Sequence, residues 1–289
     1  MGSSPDSGVP AASSSSLRVK GAEFDRTETG FEMQTRIDHI TGGIYRISIW
    51  EPDARITFNQ FLIDDERPTL IHTGTYDHYE AVRGAVREVL DPARLAHIVL
   101  LHWEGDENGG MDRFMAEALE AELIGSALSI ALNAAGFGLH ERVRGFVDGD
   151  RLELGRHTLR FLETPHVHHW DSMMVLEEST QSLFPSDLYI QPGDQPPVTD
   201  ENLSMSMVEL YRGAGNFAHE DPVRAVSERI EALAPSWIHA MHGATIRGDA
   251  LHYFADALRD HEFAYRGLLL GREVTPSEAN RQRSAVQRL

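Results

Sequence analysis

His102, Glu104, Asp106 and Glu107 crowd into one short stretch, His102-Trp103-Glu104-Gly105-Asp106-Glu107, directly behind the apolar run Ala96 to Leu101. Imidazole and carboxylate are the nitrogen and oxygen donors that hold iron, manganese or zinc, and a carboxylate-rich mixture leans towards the harder ions. In an extended loop, residues two apart share a face, so His102, Glu104 and Asp106 would converge from one side. A solvated acidic turn behind a buried strand would carry the same residues. The partners elsewhere in the chain decide between the two.

Those partners stand at the ends of other apolar segments. His72 closes Thr69 to Ile71; His166, His168 and His169 follow Leu159 to Glu163; Asp187 follows Ser182 to Ser186; and His242 follows Ser236 to Met241. Loops leaving strand ends are where sites gather in layered α/β proteins. One histidine at one strand end would be unremarkable, but His or Asp at each of these ends is a pattern.

The segments that would position them read as strands and helices in alternation. Strands are expected within Thr35 to Leu70, with Gly43–Trp50 and Ile56–Ile63 alternating, then Thr69–Thr73 after a turn at Asp64–Pro68. Val82, Val86 and Leu90 give Tyr79–Leu90 a helical face. Ala96–Leu101 reads as a buried strand, Met111–Ala121 as a helix, Glu122–Gly125 as a strand and Ala127–Ala135 as a helix. In the second half, Asp150–Leu154, His157–Glu163, Met173–Glu177, Gln181–Phe184 and Trp237–Met241 read as strands, with helices over Pro222–Leu233 and Gly248–His261. Two blocks of strands followed by helices suggest a sandwich with helices outside.

Composition narrows the chemistry. The chain has 289 residues and no cysteine, which excludes disulfides, thiolate zinc sites and iron–sulfur clusters. A formal charge of −19 argues against nucleic acid or an anionic membrane as partner. No apolar run approaches the roughly 18 residues that would span a bilayer. The Ser-, Gly- and Pro-rich start lacks an apolar signal core. The expected organisation is a disordered tail over residues 1–20, one domain over 21–270 and a loose tail over 271–289, in a cytoplasmic protein.

The ordered set His102-x-Glu104-x-Asp106, His168, Asp187 and His242-Gly243 resembles the metallo-β-lactamase superfamily, and within it the diiron domain of flavodiiron and related oxygen-binding diiron proteins. Glu104, where zinc hydrolases of the superfamily carry histidine, marks the diiron branch. His168-His169-Trp170-Asp171-Ser172-Met173 and Leu183-Phe184-Pro185-Ser186-Asp187 resemble two more of its motifs, and the likeness runs from about Thr35 to Phe263. The resemblance implies an αββα sandwich of the metallo-β-lactamase type. It implies one metal on His102, Glu104 and His168, a second on Asp106 and His242, and Asp187 bridging them.

Two positions depart from the family. Glu107 stands where a second-metal histidine is usual, so that ion would take glutamate or be weakly held. His72 stands where many members have aspartate. A gap-free match selects His168 as ligand, whereas a shift of one residue selects His169; His166 is expected beside the site.

The implied cofactor is a pair of iron ions, with zinc or manganese as the alternative. Glu104, Asp106, Glu107 and Asp187 match the formal charge of two divalent cations, and carboxylates with few imidazoles are how other diiron proteins hold an oxidisable pair. The implied function is binding of dioxygen, with reduction of O2 or NO as an oxidoreductase. Flavodiiron proteins carry a flavodoxin-like domain after the diiron domain; none is expected within this chain, so electrons would come from a separate donor protein. The resemblance also allows a homodimer. The rival is a binuclear zinc or manganese hydrolase acting on an ester, lactone or phosphoester. The loop Gln191–Pro197 leading to Met205, Met207 and Tyr211 reads either as a cover over the site or as a surface loop before a core-filling helix. Trp103 and Trp170 could shield the metals or simply pack.

Overall fold

A computed structural model describes residues 34–266. The expected tails over 1–20 and 271–289 lie outside the described residues, as do both boundaries of the expected 21–270 domain.

The first sheet holds seven strands in chain order: β1 (Gln34–Thr41), β2 (Ile44–Glu51), β3 (Ile56–Ile63), β4 (Thr69–Ile71), β5 (His97–Val99), β6 (Glu122–Ser126) and β7 (Val143–Phe146). Strands β1 to β4 pair antiparallel, and β4 to β7 pair parallel. The second sheet comprises β8 (Arg151–Glu153), β9 (Thr158–Glu163), β10 (Met173–Glu177), β11 (Ser182–Phe184), β12 (Val198–Thr199), β13 (Trp237–His239) and β14 (Thr245–Arg247). Its order is β12-β14-β13-β11-β10-β9-β8, with β11 parallel to β13.

Alternation along the strands separates the faces. On β3, Phe61 and Ile63 join a core with Ile71 and Val99 of the same sheet and Phe161, Val175 and Phe184 of the other, so the two sheets pack face to face. Leu62, between them, points the other way, into a cluster with Val82 and Val86 of helix α1 (Tyr79–Val89) and Phe114 and Met115. Two short helical segments, α2 (Gly105–Asn108) and α3 (Met111–Glu117), follow β5, and α4 (Ala127–Ser129) follows β6. Helices α5 (Ser204–Ala214), α6 (Glu220–Leu233) and α7 (Leu251–Asp260) cover the outer face of the second sheet through Met207, Tyr211, Val223, Ile230 and Phe254. The layers are helix, sheet, sheet, helix.

The departures from expectation have local causes. The helix from Met111 stops at Glu117 rather than Ala121, and the Arg142 guanidinium collects the freed carbonyls of Met115, Ala118, Leu119 and Ala121. Helix α6 begins before Pro222, because an N–H missing in the first turn costs no intrahelical bond. Ala127–Ala135 is not one α-helix: α4 passes into a π-helical turn at Ile130–Ala134. Strand β7 has a mostly exposed four-residue pattern that gives no apolar alternation, and only pairing with β6 makes it a strand.

Parallel pairing is what matters for function. Loops after β4 and β5 leave the same end of the first sheet, and loops after β11 and β13 leave one end of the second. Open α/β sheets place their ligands beyond the carboxyl ends of such strands. His72 and His102 stand in the first pair of loops; Asp187 and His242 stand in the second.

Candidate metal centre

Two groups of side chains converge between these loops. His102, Glu104, His168 and Asp187 form one, and Asp106, Glu107 and His242 the other; within each, one donor atom per residue lies within 4.8 Å of all the rest. In the first group His102 Nε2 is 3.0 Å from Glu104 Oε2, and His168 Nε2 is 3.2 Å from Glu104 Oε2 and 3.0 Å from Asp187 Oδ2. In the second, His242 Nε2 lies 3.8 Å from Asp106 Oδ2 and 3.9 Å from Glu107 Oε1. All seven candidates from the sequence are therefore brought together, in two sets.

Asp187 stands between the sets. Its Oδ2 faces His168 and, at 3.7 Å, His102, while its Oδ1 faces His242 at 3.5 Å. Oδ1 is buried and has no hydrogen-bond partner among the described residues. A buried carboxylate oxygen left without a partner is costly, and a cation on that side would satisfy it. The donor set, all nitrogen and oxygen with four carboxylates, fits two divalent ions sharing Asp187.

The loop after β5 is not extended throughout, which corrects the expectation that His102, Glu104 and Asp106 share one side. Glu104 is extended, but the chain then winds into α2, and this turn carries Asp106 and Glu107 away to the second group. Thr73 ties the turn to the end of β4: its N–H and hydroxyl both donate to the Glu107 carbonyl, at 2.6 and 2.9 Å. Gly109 makes that approach possible, since a Cβ there would lie 2.3 Å from the backbone nitrogen of Tyr76.

His168, not His169, enters the first group. The His169 ring is taken by Asp171, paired through Nδ1 and Oδ1. His166 is exposed and belongs to neither group. His72 is also in neither, yet it is fully buried and its Nδ1 contacts Glu107 Oε2.

The outer nitrogens of the imidazoles are held by protein. His102 Nδ1 bonds Ser186 Oγ at 2.8 Å, and His242 Nδ1–H donates to the Thr57 carbonyl at 3.0 Å, which leaves Nε2 of each turned into the site. His72 and Ser186 have positive φ values of 62° and 57°, uncommon for residues with a Cβ and typical of sites where surrounding structure holds the backbone.

The His242 loop rests on a buried polar network that the sequence reading missed. Arg46 is fully buried and donates to the Gly243 carbonyl at 2.8 Å; Asn59 Nδ2 donates to the carbonyls of Gly243 and Ala240 at 2.7 and 2.9 Å. Gly243 N–H donates to Thr57 Oγ1 at 2.9 Å. Burial lowers the Arg46 pKa to about 10, with Asp38 opposing the shift. The available signal was the run of polar residues Arg46, Ser48, Thr57 and Asn59 inside otherwise apolar strands. Gly243, at φ 101°, lets this loop close on Gln191, whose side chain a Cβ would meet at 2.8 Å.

The electrostatics are those of a site short of positive charge. Burial would lower His102, but Glu104, Asp187 and Glu107 outweigh it and raise it to about 9. His168 and His242 are likewise raised to about 10 against burial, by Asp187 with Glu104 and by Asp187 with Asp106 and Glu107. Hydrogen bonds from His102 and His168 hold Glu104 well below the usual carboxylate range. Asp106 moves the other way, up to about 7, through burial and the neighbouring charge of Glu107. Without added cations, protons on the imidazoles must balance the carboxylates.

Around the site, Met207 and Tyr211 fill the outer core while Met205 is exposed, so this part of α5 packs rather than covers. The Tyr211 hydroxyl receives the Tyr189 N–H at 2.8 Å and donates to the Asp187 carbonyl at 3.3 Å, steadying the Asp187 loop from behind. Trp103 packs against the first outer core and Phe137, and Trp170 against His169.

The model of the ODP family β-lactamases matches residues 56–243, from β3 to the His242-Gly243 loop. The chain belongs to that family. It is 28% identical over 203 residues to the rubredoxin-oxygen oxidoreductase of Megalodesulfovibrio gigas, covering 66% of this chain and 50% of that protein. It is 26% identical over 165 residues to the nitric oxide reductase of Moorella thermoacetica, covering 53% of this chain and 41% of that one. Among solved structures, rubredoxin oxygen:oxidoreductase from Desulfovibrio gigas superimposes with a TM-score of 0.70 at 21% identity, over 77% of this chain and 60% of that one. The flavodiiron protein of Giardia intestinalis matches with a TM-score of 0.70 at 20% identity, over 78% and 59%. This ODP family member spans half the length, or less, of those curated relatives. Its fold is the metallo-β-lactamase-like αββα sandwich that the resemblance implied.

Proposed function

We propose that this chain is a non-haem diiron protein that binds dioxygen or nitric oxide and reduces it with electrons from a separate donor protein. His102, Glu104 and His168 would hold one iron, Asp106, Glu107 and His242 the other, with Asp187 shared. The observation that carries the reading is Asp187 itself, with one carboxylate oxygen turned to each group and four carboxylates set against three imidazoles. An iron pair, when bound, supplies the electrons that a bound gas molecule takes up. The names of the relatives from Megalodesulfovibrio gigas and Moorella thermoacetica support O2 and NO as the substrates.

The protein's own part is to hold and shield. Ser186 orients the His102 ring, and the Thr57 carbonyl fixes both the tautomer and the orientation of His242. Metal binding would displace the protons that now sit on the raised imidazoles. The near-complete burial of His102, Glu107, Asp187 and His242 keeps bulk water from those donors. A zinc hydrolase works with a mainly imidazole set, electron-poor enough to acidify a bound water; Glu104 and Glu107 would blunt that acidity.

The test is anaerobic loading with ferrous iron, metal analysis and a Mössbauer spectrum after oxidation. Two irons per chain with the spectrum of a coupled pair are expected, along with consumption of O2 or NO when a reductant is supplied. Selective retention of zinc from a medium rich in iron, with hydrolysis of an ester or phosphoester, would replace this reading with the hydrolase.

A further inference from the structure

Both positions at which the chain departs from the family pattern, His72 and Glu107, meet in the structure. They lie on different elements, His72 at the end of β4 and Glu107 in the turn of α2, and neither is more than 2% exposed. The contact runs from His72 Nδ1 to Glu107 Oε2. On the other side of the ring, His72 Nε2 accepts the Leu101 N–H at 3.4 Å, which places the imidazole proton on Nδ1, towards the carboxylate. Nδ1 is buried and has no other polar partner among the described residues. Glu107 thus has one oxygen against His72 and the other, Oε1, facing His242.

We propose that His72 is the positioning residue of Glu107, and that the two departures are one compensated exchange. The base has moved to the strand end and the acid to the metal-facing turn, so the second subsite keeps its closing ligand as a carboxylate. An imidazole that only filled space at β4 would not need a positive φ and a buried nitrogen whose one polar neighbour is a carboxylate. Held at Oε2, Glu107 has a single oxygen free and closes the subsite beside Asp106 and His242. With two carboxylates and one imidazole of its own, that subsite narrows the usual advantage of Zn2+ over harder divalent ions such as Fe2+ or Mn2+.

This rests on the proposed function only in needing two metal subsites; neither the gas chemistry nor iron is required. The experiment is a titration of the metal-free full-length chain with Mn2+, Fe2+ and Zn2+ separately, read by calorimetry and by metal analysis after desalting. The wild-type chain is expected to hold two ions, the second more tightly as Mn2+ or Fe2+ than the ordinary order of affinities would give.

His72→Leu should weaken the second ion by roughly ten- to a hundred-fold, the usual effect of removing the partner of a ligand, with the first unchanged. His72→Asn tolerates positive φ and keeps a donor where Nδ1 stood, so it should restore the second ion and guards against misfolding of the Leu variant. His72→Asp and Glu107→His should each lose the second ion, the former by setting two carboxylates together and the latter two imidazoles. The double exchange of both should regain it. A His72→Leu or His72→Asp chain that binds the second ion like wild type overturns the proposal, as does a double exchange no better than its single variants, or a wild-type chain that takes only one ion. This pattern seen with Zn2+, in a chain that fails to hold two Fe2+, would uphold the pair while refuting the diiron reading.

Discussion

The His102 group and the His242 group share Asp187 but are built from different material. The first draws its residues from three loops, sets both imidazoles 3.0–3.2 Å from Glu104 and His168 3.0 Å from Asp187, and holds Glu104 well below the usual carboxylate range. The second takes two adjacent carboxylates from one helical turn and a single histidine, with gaps of 3.8 and 3.9 Å and an Asp106 pushed up to about 7. One half is nearly balanced by its own charges; the other holds excess negative charge close together. Such a half would depend on a bound cation, and on the scaffold that holds its residues against their repulsion.

The largest test of that contrast is to remove what the halves share. Asp187→Ala should abolish binding of both ions, and with them any O2 or NO consumption, as read by metal analysis and gas uptake. Retention of one tightly held ion would mean that Asp187 belongs to a single group. Next comes Glu104→Ala, which should empty the first subsite and leave about one ion per chain on Asp106, Glu107 and His242. Unchanged metal content would remove Glu104 from the ligand set.

A smaller effect should follow from the scaffold. Asn59→Leu removes the side-chain donor to the Ala240 carbonyl and one of the two side-chain donors to the Gly243 carbonyl. Leaving buried polar groups unpaired costs about 1–3 kcal/mol, measurable by denaturant unfolding. The second ion alone should weaken, by roughly tenfold or more as expected for a supporting contact. Equal weakening of both ions would show that the network serves the whole site rather than the His242 side.

The last test is of pH dependence. His102, His168 and His242 are raised from 6.5 to about 9, 10 and 10 in the folded chain without metal. A raised folded-state value adds stability that is complete below about 6.5 and is lost as pH climbs through about 9 to 10. The metal-free chain should therefore melt at progressively lower temperature across that window. The metal-loaded chain should instead weaken at acid pH, where protons compete for the same nitrogens. Parallel profiles with and without metal would contradict ligation by these imidazoles.

How far the site was legible follows from how local each feature is. His102, Asp187 and His242 could be read because each stands just past a short apolar strand, and alternation makes such strands visible. His168 could be matched only by alignment, because His169 beside it has the same chemistry; Asp171, two residues on, decides by claiming His169. The turn at α2 hid in a stretch that reads equally well as extended, and it takes Asp106 off the side that His102 and Glu104 share. Arg46, Thr57 and Asn59 passed unnoticed since one polar residue in a strand says nothing until its partner across the sandwich is known.

By itself the sequence determined the residue types available for metal, the exclusion of sulfur chemistry, and the succession of strands whose ends carry those residues. These depend on side-chain identity and on periodicities only a few residues long. The tertiary structure decided how the donors divide into two groups, which oxygen of Asp187 faces which group, and that His72 lies against Glu107. Such facts depend on parallel pairing of β4 with β5 and of β11 with β13, and on the packing of one sheet over the other. No local pattern encodes a distance between residues so far apart along the chain.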